Sequence, residues 1–319
     1  MNYRLHKDNK FLANPISFEL EFLHPGYSQR EIRDFLNAEF PGFQIDYDGS
    51  LPNHGSEITM QKSMYDDFNI QLSDIDNVIG IWEKLISALQ AKFDIQLQSN
   101  QYELGFHIHI DTKQMTPRNI YNIFASYHNF ENYINLVHKG RENLQWVKSL
   151  STPDIRKIKR IAKAHENKRD FIIALNSAFP SVRQRKYKTL SFNRLMDLGT
   201  IEFRKGGNGN IDYLRFWIKY VINFVKFNIN DKKVKGFRTI KRYKVSQSSL
   251  SEFQRRFIQC YQFIGGNKSV FKSAIQHFRG VGMSDTPNDE NKINWLIRNA
   301  YQEQKEKNKW SWKTPSYYY

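Results

Sequence analysis

The sequence contains a single cysteine, Cys260, and no long apolar run. One cysteine excludes an intramolecular disulfide, a multi-cysteine zinc site and an iron–sulfur cluster. Any metal must therefore be bound by oxygen and imidazole ligands. No apolar run approaches the ~18–20 residues of a membrane helix, and the first residues lack the apolar segment of a secretory signal. We therefore expect a cytoplasmic protein.

The charge of the chain is biased toward one sign. Among 319 residues, 48 are Lys or Arg and 32 are Asp or Glu, which gives a formal net charge of +16. Two segments hold this excess, because residues 156–188 carry +9 and residues 231–256 carry +7. Such segments favour anionic partners, which include nucleotide phosphates, carboxylates and nucleic acid. The alternative is that each segment is an ordinary solvated surface.

Apolar residues alternate or recur at helical spacing, without the regular strand–helix order of a parallel sheet. These patterns predict an α+β domain in residues 1–230 and a basic, mainly helical C-terminal extension in residues 231–319. The predicted strands are residues 16–22, 43–48, 55–61, 102–111, 187–192 and 200–204. The predicted helices begin near Ser28, Ser73 and Thr116, cover residues 154–177, and continue from Asp212 onward.

Charged or imidazole side chains lie two residues apart on three of these strands. Because side chains alternate between the faces of a strand, such residues share a face about 7 Å apart. Taken singly, each segment has an ordinary explanation, such as a solvent-facing acid pair, a hairpin, buried core histidines or a cross-strand ion pair. The pairs are Glu19 with Glu21, His107 with His109 and Glu202 with Arg204, and a fourth segment holds Asp48 and Glu57 around a turn.

Together, the four segments indicate a metal site. Several carboxylates on neighbouring strands would repel one another in a folded core unless cations lay between them. Oxygen ligands with one imidazole suit Mg²⁺ or Mn²⁺ better than zinc. Divalent cations beside an arginine suit phosphate chemistry, because they neutralise the charge that moves during phosphoryl transfer. A metal-dependent nuclease or phosphodiesterase would use the same ligand types, so this alternative stays open.

The four segments also resemble a known protein family. In this order, FELEF, DGS…GSEI, GFHIHID and GTIEFRKGG are similar to the amidoligase family of the glutamine synthetase and glutamate–cysteine ligase superfamily. The resemblance covers roughly residues 16–225. It implies a glutamine synthetase-like antiparallel sheet with flanking helices. It also implies an enzyme that uses ATP and two or more Mg²⁺ or Mn²⁺ ions to join a carboxylate to an amine.

The resemblance implies a role for each site residue. Glu19 and Glu21 would bind different ions, and the next acidic pair would share an ion with one of them. The implied metal ligands are Glu19, Glu21, Asp48, Glu57, His107 and Glu202. The implied catalytic residues are Arg204, His109 and Glu57, and Arg204 and Arg185 would contact the nucleotide.

The implied reaction forms an amide or peptide bond through an acyl phosphate. Its partners would be carboxylate and amine substrates, either small molecules, peptides or proteins, and no membrane is expected. The basic extension supports a second hypothesis, that of a nucleic-acid-binding protein on a ligase-like fold. Lysines interleaved with Phe237 and Tyr243 suit contacts with phosphates and stacking with bases. Docking of an acidic peptide on the same segments is an equal alternative.

Overall fold

A computed structural model describes residues 16–49, 51–60, 75–97, 104–137, 147–207, 211–230 and 236–241. Within these ranges the strands are β1 (Ile16–Leu23), β2 (Phe43–Asp46), β3 (Gly55–Met60), β4 (Phe106–Asp111), β5 (Leu190–Ser191) and β6 (Thr200–Phe203). The helices are α1 (Gln29–Glu39), α2 (Ile75–Phe93), α3 (Pro117–Val137), α4 (Thr152–Ala164), α5 (Lys168–Ala178), α6 (Val182–Lys186) and α7 (Ile211–Asn230). A short 3-10 helix covers Asn193–Leu195. Residues 231–235 and the predicted extension beyond residue 241 lie outside the described residues.

The six strands form one sheet in the order β2-β3-β1-β4-β6-β5. Every pairing between neighbouring strands is antiparallel, as the family resemblance implied. The two central strands, β1 and β4, are far apart in the chain, with α1, β2, β3 and α2 between them. The sheet therefore brings the first and third polar segments of the sequence side by side.

One face of the sheet is apolar, because every second residue of β1, β4 and β6 is a buried hydrophobic side chain, and β3 adds Ile58 and Met60. Phe18 stacks on Phe106 with ring centroids 5.6 Å apart, and Trp82 of α2 meets the Phe18 ring at a right angle. Burial of one such side chain contributes about 1.5–3 kcal/mol to stability. The fully buried set is Phe18, Leu20, Phe22, Ile58, Phe106, Ile108, Ile110, Ile201 and Phe203.

Helices α3 and α7 cover this apolar face. Tyr127 of α3 and Phe224 of α7 both contact the ring of Phe203 on β6, with centroids 5.7 Å and 6.2 Å away. Aromatic contacts of this edge-on kind add to the stabilisation from burial. Because these helices lie against the apolar face, the alternate residues of each strand face the opposite side of the sheet.

Helix starts follow the capping residues of the sequence. Ser28 and Glu31 form a capping box at the start of α1, as predicted. The region predicted to be helical, residues 154–177, consists of two helices, because α4 ends at Ala164 and α5 begins after Asn167. The Asn167 side chain accepts hydrogen bonds from the main-chain N–H groups of Arg169 and Asp170. An asparagine in this position starts a new helix and does not continue the old one.

Several strands are shorter than predicted, and β4, for example, begins only at Phe106. β2 ends at Asp46, so Asp48 lies in the turn that follows, and β5 consists only of Leu190–Ser191. The predicted α+β class, with an antiparallel sheet and flanking helices, is confirmed, whereas the likeness to the glutamine synthetase topology stays a prediction. Among the described helices, none combines the length and the apolar character that a membrane span requires.

Candidate metal-binding site

The face of the sheet opposite α3 and α7 collects the predicted site residues. Strand pairing sets Glu19 of β1 opposite His107 of β4, and Glu21 of β1 opposite Glu57 of β3. On the other side of β4, His109 lies opposite Glu202 of β6. Residues directly opposite one another on paired strands share a face of the sheet. Four strands thus bring carboxylates and imidazoles from distant segments to one surface.

His107 lies at the centre of this cluster. Its Nδ1 atom is 3.1 Å from Glu19 Oε2 and 3.5 Å from Glu202 Oε1. Its Nε2 atom points the other way and is 3.7 Å from Glu21 Oε1. The side chains of His107, Glu21 and Glu202 are each less than a tenth exposed. The imidazole therefore separates two groups of carboxylates that are both shielded from water.

Two sets of side chains place ligand atoms close enough to hold a cation. Glu19, His107 and Glu202 form the first set, and Glu21, Glu57 and His107 form the second. Within each set the ligand atoms lie within 4.8 Å of one another. We call these the first and second cation groups. They share His107, and they contain five of the six metal ligands that the sequence predicted.

The charge balance of the second cation group fits a bound cation. Burial raises the pKa of Glu57 to about 10, and the charges of Glu19, Glu21, Asp48 and Glu202 act in the same direction. A carboxyl group in this environment keeps its proton unless a positive charge replaces it. Carboxylate oxygens with one imidazole nitrogen are ligands that Mg²⁺ and Mn²⁺ accept. The donor set is thus suited to such a cation.

His109 stands beside the first cation group without belonging to it. Its Nε2 atom is 2.8 Å from Glu19 Oε1, and its Nδ1 atom is 3.2 Å from Thr200 Oγ1. Burial lowers the pKa of His109, but the negative charges of Glu19 and Glu202 and the hydrogen bond with Glu19 together outweigh burial and raise the pKa above its ordinary value. Burial likewise raises the pKa of Glu19, but the charge of His109 and the contacts with both histidines hold it well below its ordinary value. The two residues therefore behave as an ion pair.

Arg204 places a positive charge at the edge of the first cation group. Its Nη1 atom donates a hydrogen bond to Glu202 Oε1. Its buried Nε atom has no hydrogen-bond partner among the described residues. Burial lowers the pKa of Arg204, but the carboxylates of Glu202, Glu19 and Glu21 more than reverse this and keep the group charged. A guanidinium with an unused buried donor suits an anionic ligand.

Gly105, which sequence reasoning did not single out, holds the second cation group together. Its main-chain N–H donates a hydrogen bond to Glu21 Oε2. A Cβ atom at this position would lie 2.5 Å from His107 Nε2 and 2.9 Å from Glu21 Oε2. Only glycine leaves room for this approach. The signal in the sequence was a glycine directly before the histidine strand.

Three further charged residues belong to neither cation group. Asp48 acts on the pKa of Glu57 but is in neither cation group. Asp46, which sequence reasoning did not single out, lies directly opposite Glu57 and accepts a 2.5 Å hydrogen bond from Gln44. The Arg185 guanidinium donates to the main-chain oxygens of Phe179 and Pro180, so it joins the end of α5 to α6. A role of Arg185 in nucleotide binding stays a prediction.

The comparison with protein families identifies the type of chain. Residues 26–224 match a family described as "putative amidoligase enzyme". The chain belongs to this family. The match to the amidoligase family includes Glu57, His107 and Glu202, and it begins after the two glutamates of β1. A search of the curated proteins finds no match to this chain.

Membership of the amidoligase family favours a ligase among the functions that the sequence left open. The predicted resemblance to this family is confirmed, and it indicates an enzyme of the ligase type. The family also indicates the general substrate classes, which are a carboxylate and an amine.

Proposed function

We propose that the chain is an ATP-dependent carboxylate–amine ligase that forms an amide bond through an acyl phosphate. The observation that carries the proposal is the pair of cation groups that share His107, with Arg204 beside the first of them. The family match supports the ligase class. A further support is that bound cations and Arg204 would stabilise the negative charge that accumulates on phosphate oxygens in such a reaction.

The two cation groups would hold Mg²⁺ or Mn²⁺. Glu19, His107 and Glu202 would bind one ion, and Glu21 and Glu57 would bind another, with His107 available to either. When bound, such ions supply positive charge that neutralises phosphate oxygens and orients them. The remaining carboxylate of the predicted set, Asp48, raises the pKa of Glu57 and so adds negative charge to the second site.

In the proposed first step, an oxygen of the substrate carboxylate attacks the γ-phosphorus of ATP. A carboxylate–phosphorus bond forms, the bond to the β-phosphate oxygen breaks, and ADP leaves. Arg204 donates its free Nε–H to an oxygen of the transferring phosphoryl group, since that donor has no partner among the described residues. Glu202 holds the guanidinium in place through Nη1.

In the proposed second step, the amine attacks the carbonyl carbon of the acyl phosphate, and inorganic phosphate leaves. The attacking nitrogen must lose a proton, and we assign its acceptance to the Glu57 carboxylate, which is ionised when the second cation group holds its ion. His109, paired with Glu19, lies beside the first cation group, and its positive charge would stabilise the departing phosphate. The products are an amide, ADP and phosphate.

Hydroxylamine provides a test that does not require the natural amine. The full-length protein is incubated with ATP, Mg²⁺, hydroxylamine and defined pools of carboxylates. An acyl phosphate reacts with hydroxylamine to give a hydroxamate, which is measured as its coloured iron complex beside ADP. We expect hydroxamate and ADP in equal amounts with one carboxylate pool and neither product without it. ADP release that never depends on a carboxylate would contradict the proposal.

The natural substrates can be found by mass spectrometry of a metabolite extract incubated with the protein and ATP. Ligation predicts a new species whose mass equals that of two disappearing species less one water. The same incubation with nucleic acid tests the alternative of a metal-dependent nuclease, which the carboxylate-rich site also suits. Cleaved nucleic acid without ADP would favour the nuclease.

A further inference from the structure

A short segment after α7 is attached to α3 by its main chain. We call residues 236–241 the strap. Asn122 of α3 contacts the strap with both atoms of its side-chain amide. Its Nδ2 donates to the main-chain oxygen of Gly236 at 3.2 Å, and its Oδ1 accepts from the main-chain N–H of Arg238 at 2.9 Å. One side chain thus binds the carbonyl of one strap residue and the N–H group two residues later.

Asn129 repeats the same pattern three strap residues further on. Its Nδ2 donates to the main-chain oxygen of Thr239 at 2.8 Å, and its Oδ1 accepts from the main-chain N–H of Lys241 at 2.7 Å. Seven residues of an α-helix rise about 10.5 Å. Three residues of extended chain span about 9–11 Å. The spacing of the two asparagines therefore matches the repeat of the strap.

Two apolar strap residues, also three apart, face the domain. Phe237 and Ile240 pack against the hydrophobic core, and the Phe237 ring lies 5.4 Å from that of Tyr121 on α3. The Tyr121 hydroxyl donates to the main-chain oxygen of Arg238 at 2.6 Å. Thr239, between the two apolar residues, is exposed. The inward residues thus recur every third position, and one intervening side chain faces water.

The two asparagines are built into the helix layer. Asn122 and Asn129 are 1% and 5% exposed. A buried amide is costly unless its hydrogen bonds are satisfied, and here the strap main chain supplies the partners. We call Tyr121, Asn122 and Asn129 the backbone clamp. It lies on α3, which covers the apolar face of the sheet, so it is separate from the cation groups.

We propose that the backbone clamp is a peptide-docking site, and that its occupant is the strap of the same chain. The clamp binds an extended segment through the main-chain groups of that segment. Its side-chain specificity is limited to apolar residues at the first and fourth positions of Phe-Arg-Thr-Ile. By holding residues 236–241, it fixes the position of the strap on the helix layer. This attachment is independent of the proposed ligase reaction and of its metal ions.

Hydrogen–deuterium exchange of the full-length protein tests the clamp in place. Asn122→Ala with Asn129→Ala should raise the exchange rate of peptides covering residues 236–241 by at least about tenfold, because two N–H groups lose their acceptors. The matched control is Asn119→Ala, which makes the same change on the same helix but, among the described residues, removes only the side-chain hydrogen bonds with Thr116. Unchanged exchange in the double variant would overturn the proposal.

A second experiment tests whether the clamp recognises a separate peptide. Phe237→Asp with Ile240→Asp, in the full-length chain, should release the strap and leave the clamp intact. A fluorescein-labelled peptide of the strap sequence, blocked at both ends, should then bind this variant, as measured by fluorescence anisotropy. The wild-type chain should bind the peptide at least about tenfold more weakly, because its own strap occupies the site.

Peptide variants distinguish recognition by the clamp from nonspecific binding of the peptide. A peptide with Thr239→Ala should bind as well as the original, whereas one with Phe237→Ala should bind at least about tenfold more weakly. Addition of Asn122→Ala and Asn129→Ala to the released chain should abolish binding. If the peptide binds equally with and without the two asparagines, or does not bind the released chain, the docking site is refuted.

Discussion

His107 and Glu19 face each other across the pairing of β1 with β4, with Nδ1 and Oε2 3.1 Å apart. The same imidazole has Glu21 beside its other nitrogen. Each nitrogen therefore faces a different carboxylate of one strand, and these carboxylates belong to different cation groups. The shared histidine makes the two groups separable by mutation, because residues on either side of it belong to one group only.

Replacement of His107 should impair both cation groups. For His107→Ala we expect Mn²⁺ binding at least about 100-fold weaker, because a direct ligand is lost and second-shell losses alone reach this size. Isothermal titration calorimetry with Mn²⁺ measures the effect. His165→Ala is the matched control, since His165 ends α4 and is in neither cation group. Tight Mn²⁺ binding by a folded His107→Ala protein would contradict the metal site.

Replacement of Glu202 should remove only the first cation group. Glu202→Ala leaves Glu21, Glu57 and His107 in place, so the number of Mn²⁺ ions bound should fall from two to one. The proposed ligase activity should be lost, because Arg204 also loses its carboxylate partner. The stoichiometry comes from calorimetry, and ADP release reports the activity. Two ions bound by the variant would show that Glu202 is not a ligand.

Arg204 can be tested without disturbing the metal ligands. Arg204→Lys keeps a positive charge but removes the planar set of donors that suits phosphate. We expect at least about 100-fold slower ligation, with Mn²⁺ affinity changed by no more than about threefold. The measurements are hydroxamate formation and calorimetry. Arg30→Lys is the comparison, since Arg30 is exposed and pairs with Asp34 on α1. Equal activity of Arg204→Lys and the wild type would remove Arg204 from the mechanism.

The raised pKa of Glu57 predicts a pH dependence of stability in metal-free protein. In the unfolded chain this carboxyl loses its proton near pH 4.5, whereas in the native state it keeps the proton to about pH 10. Between these values the native state holds one more proton, so stability falls as pH rises, by up to about 1.4 kcal/mol per pH unit. Urea unfolding in EDTA between pH 6 and 9 measures the slope. Glu57→Gln should reduce the slope, and an equal slope would contradict the assignment.

Glu57 has two candidate carboxylate partners, Asp48 and Asp46, and mutation can distinguish them. Asp48→Asn should weaken Mn²⁺ binding about tenfold, because Asp48 is close enough to raise the pKa of Glu57. Asp46→Asn should have a smaller effect, because its carboxylate already accepts a hydrogen bond from Gln44. Calorimetry with Mn²⁺ on both variants measures the difference in affinity. The reverse order would place Asp46, and not Asp48, at the metal site.

Gly105 should tolerate no side chain. For Gly105→Ala we expect loss of the second cation group, because the new Cβ would collide with His107 Nε2 and Glu21 Oε2. Mn²⁺ binding should fall at least about tenfold while the sheet stays folded. Gly80→Ala is the control, since a Cβ there meets no atom within 4 Å and alanine favours the helix. Unchanged Mn²⁺ binding in Gly105→Ala would show that the site can adjust.

The sequence predicted the strands that carry the site better than the helices between the later strands. Alternation in Ile16–Phe22 identified β1 because one face of this strand is buried and the other carries Glu19 and Glu21. The break between α4 and α5 was missed because basic and apolar residues continue at helical spacing across it. The decisive feature there is a single capping side chain, Asn167.

The cation groups themselves could not be predicted from spacing along one strand. Residues two apart were expected to share a face, and they do. The distances that matter, however, join different strands, and they depend on the register of β1 with β3 and β4. A shift of one residue in that register would turn every ligand of a strand to the other face. The close approach at Gly105 likewise exists only once that register is fixed.

The order of the strands has a consequence for protein synthesis. Glu19 lies on β1, but its partners in the first cation group lie on β4 and β6, and 88 residues separate it from His107. Ligands so far apart in sequence meet only after slow, long-range pairing. A growing chain on the ribosome therefore cannot complete the first cation group until β6 has emerged. Chains stopped before Glu202 should be inert, so premature termination cannot release a partly active enzyme.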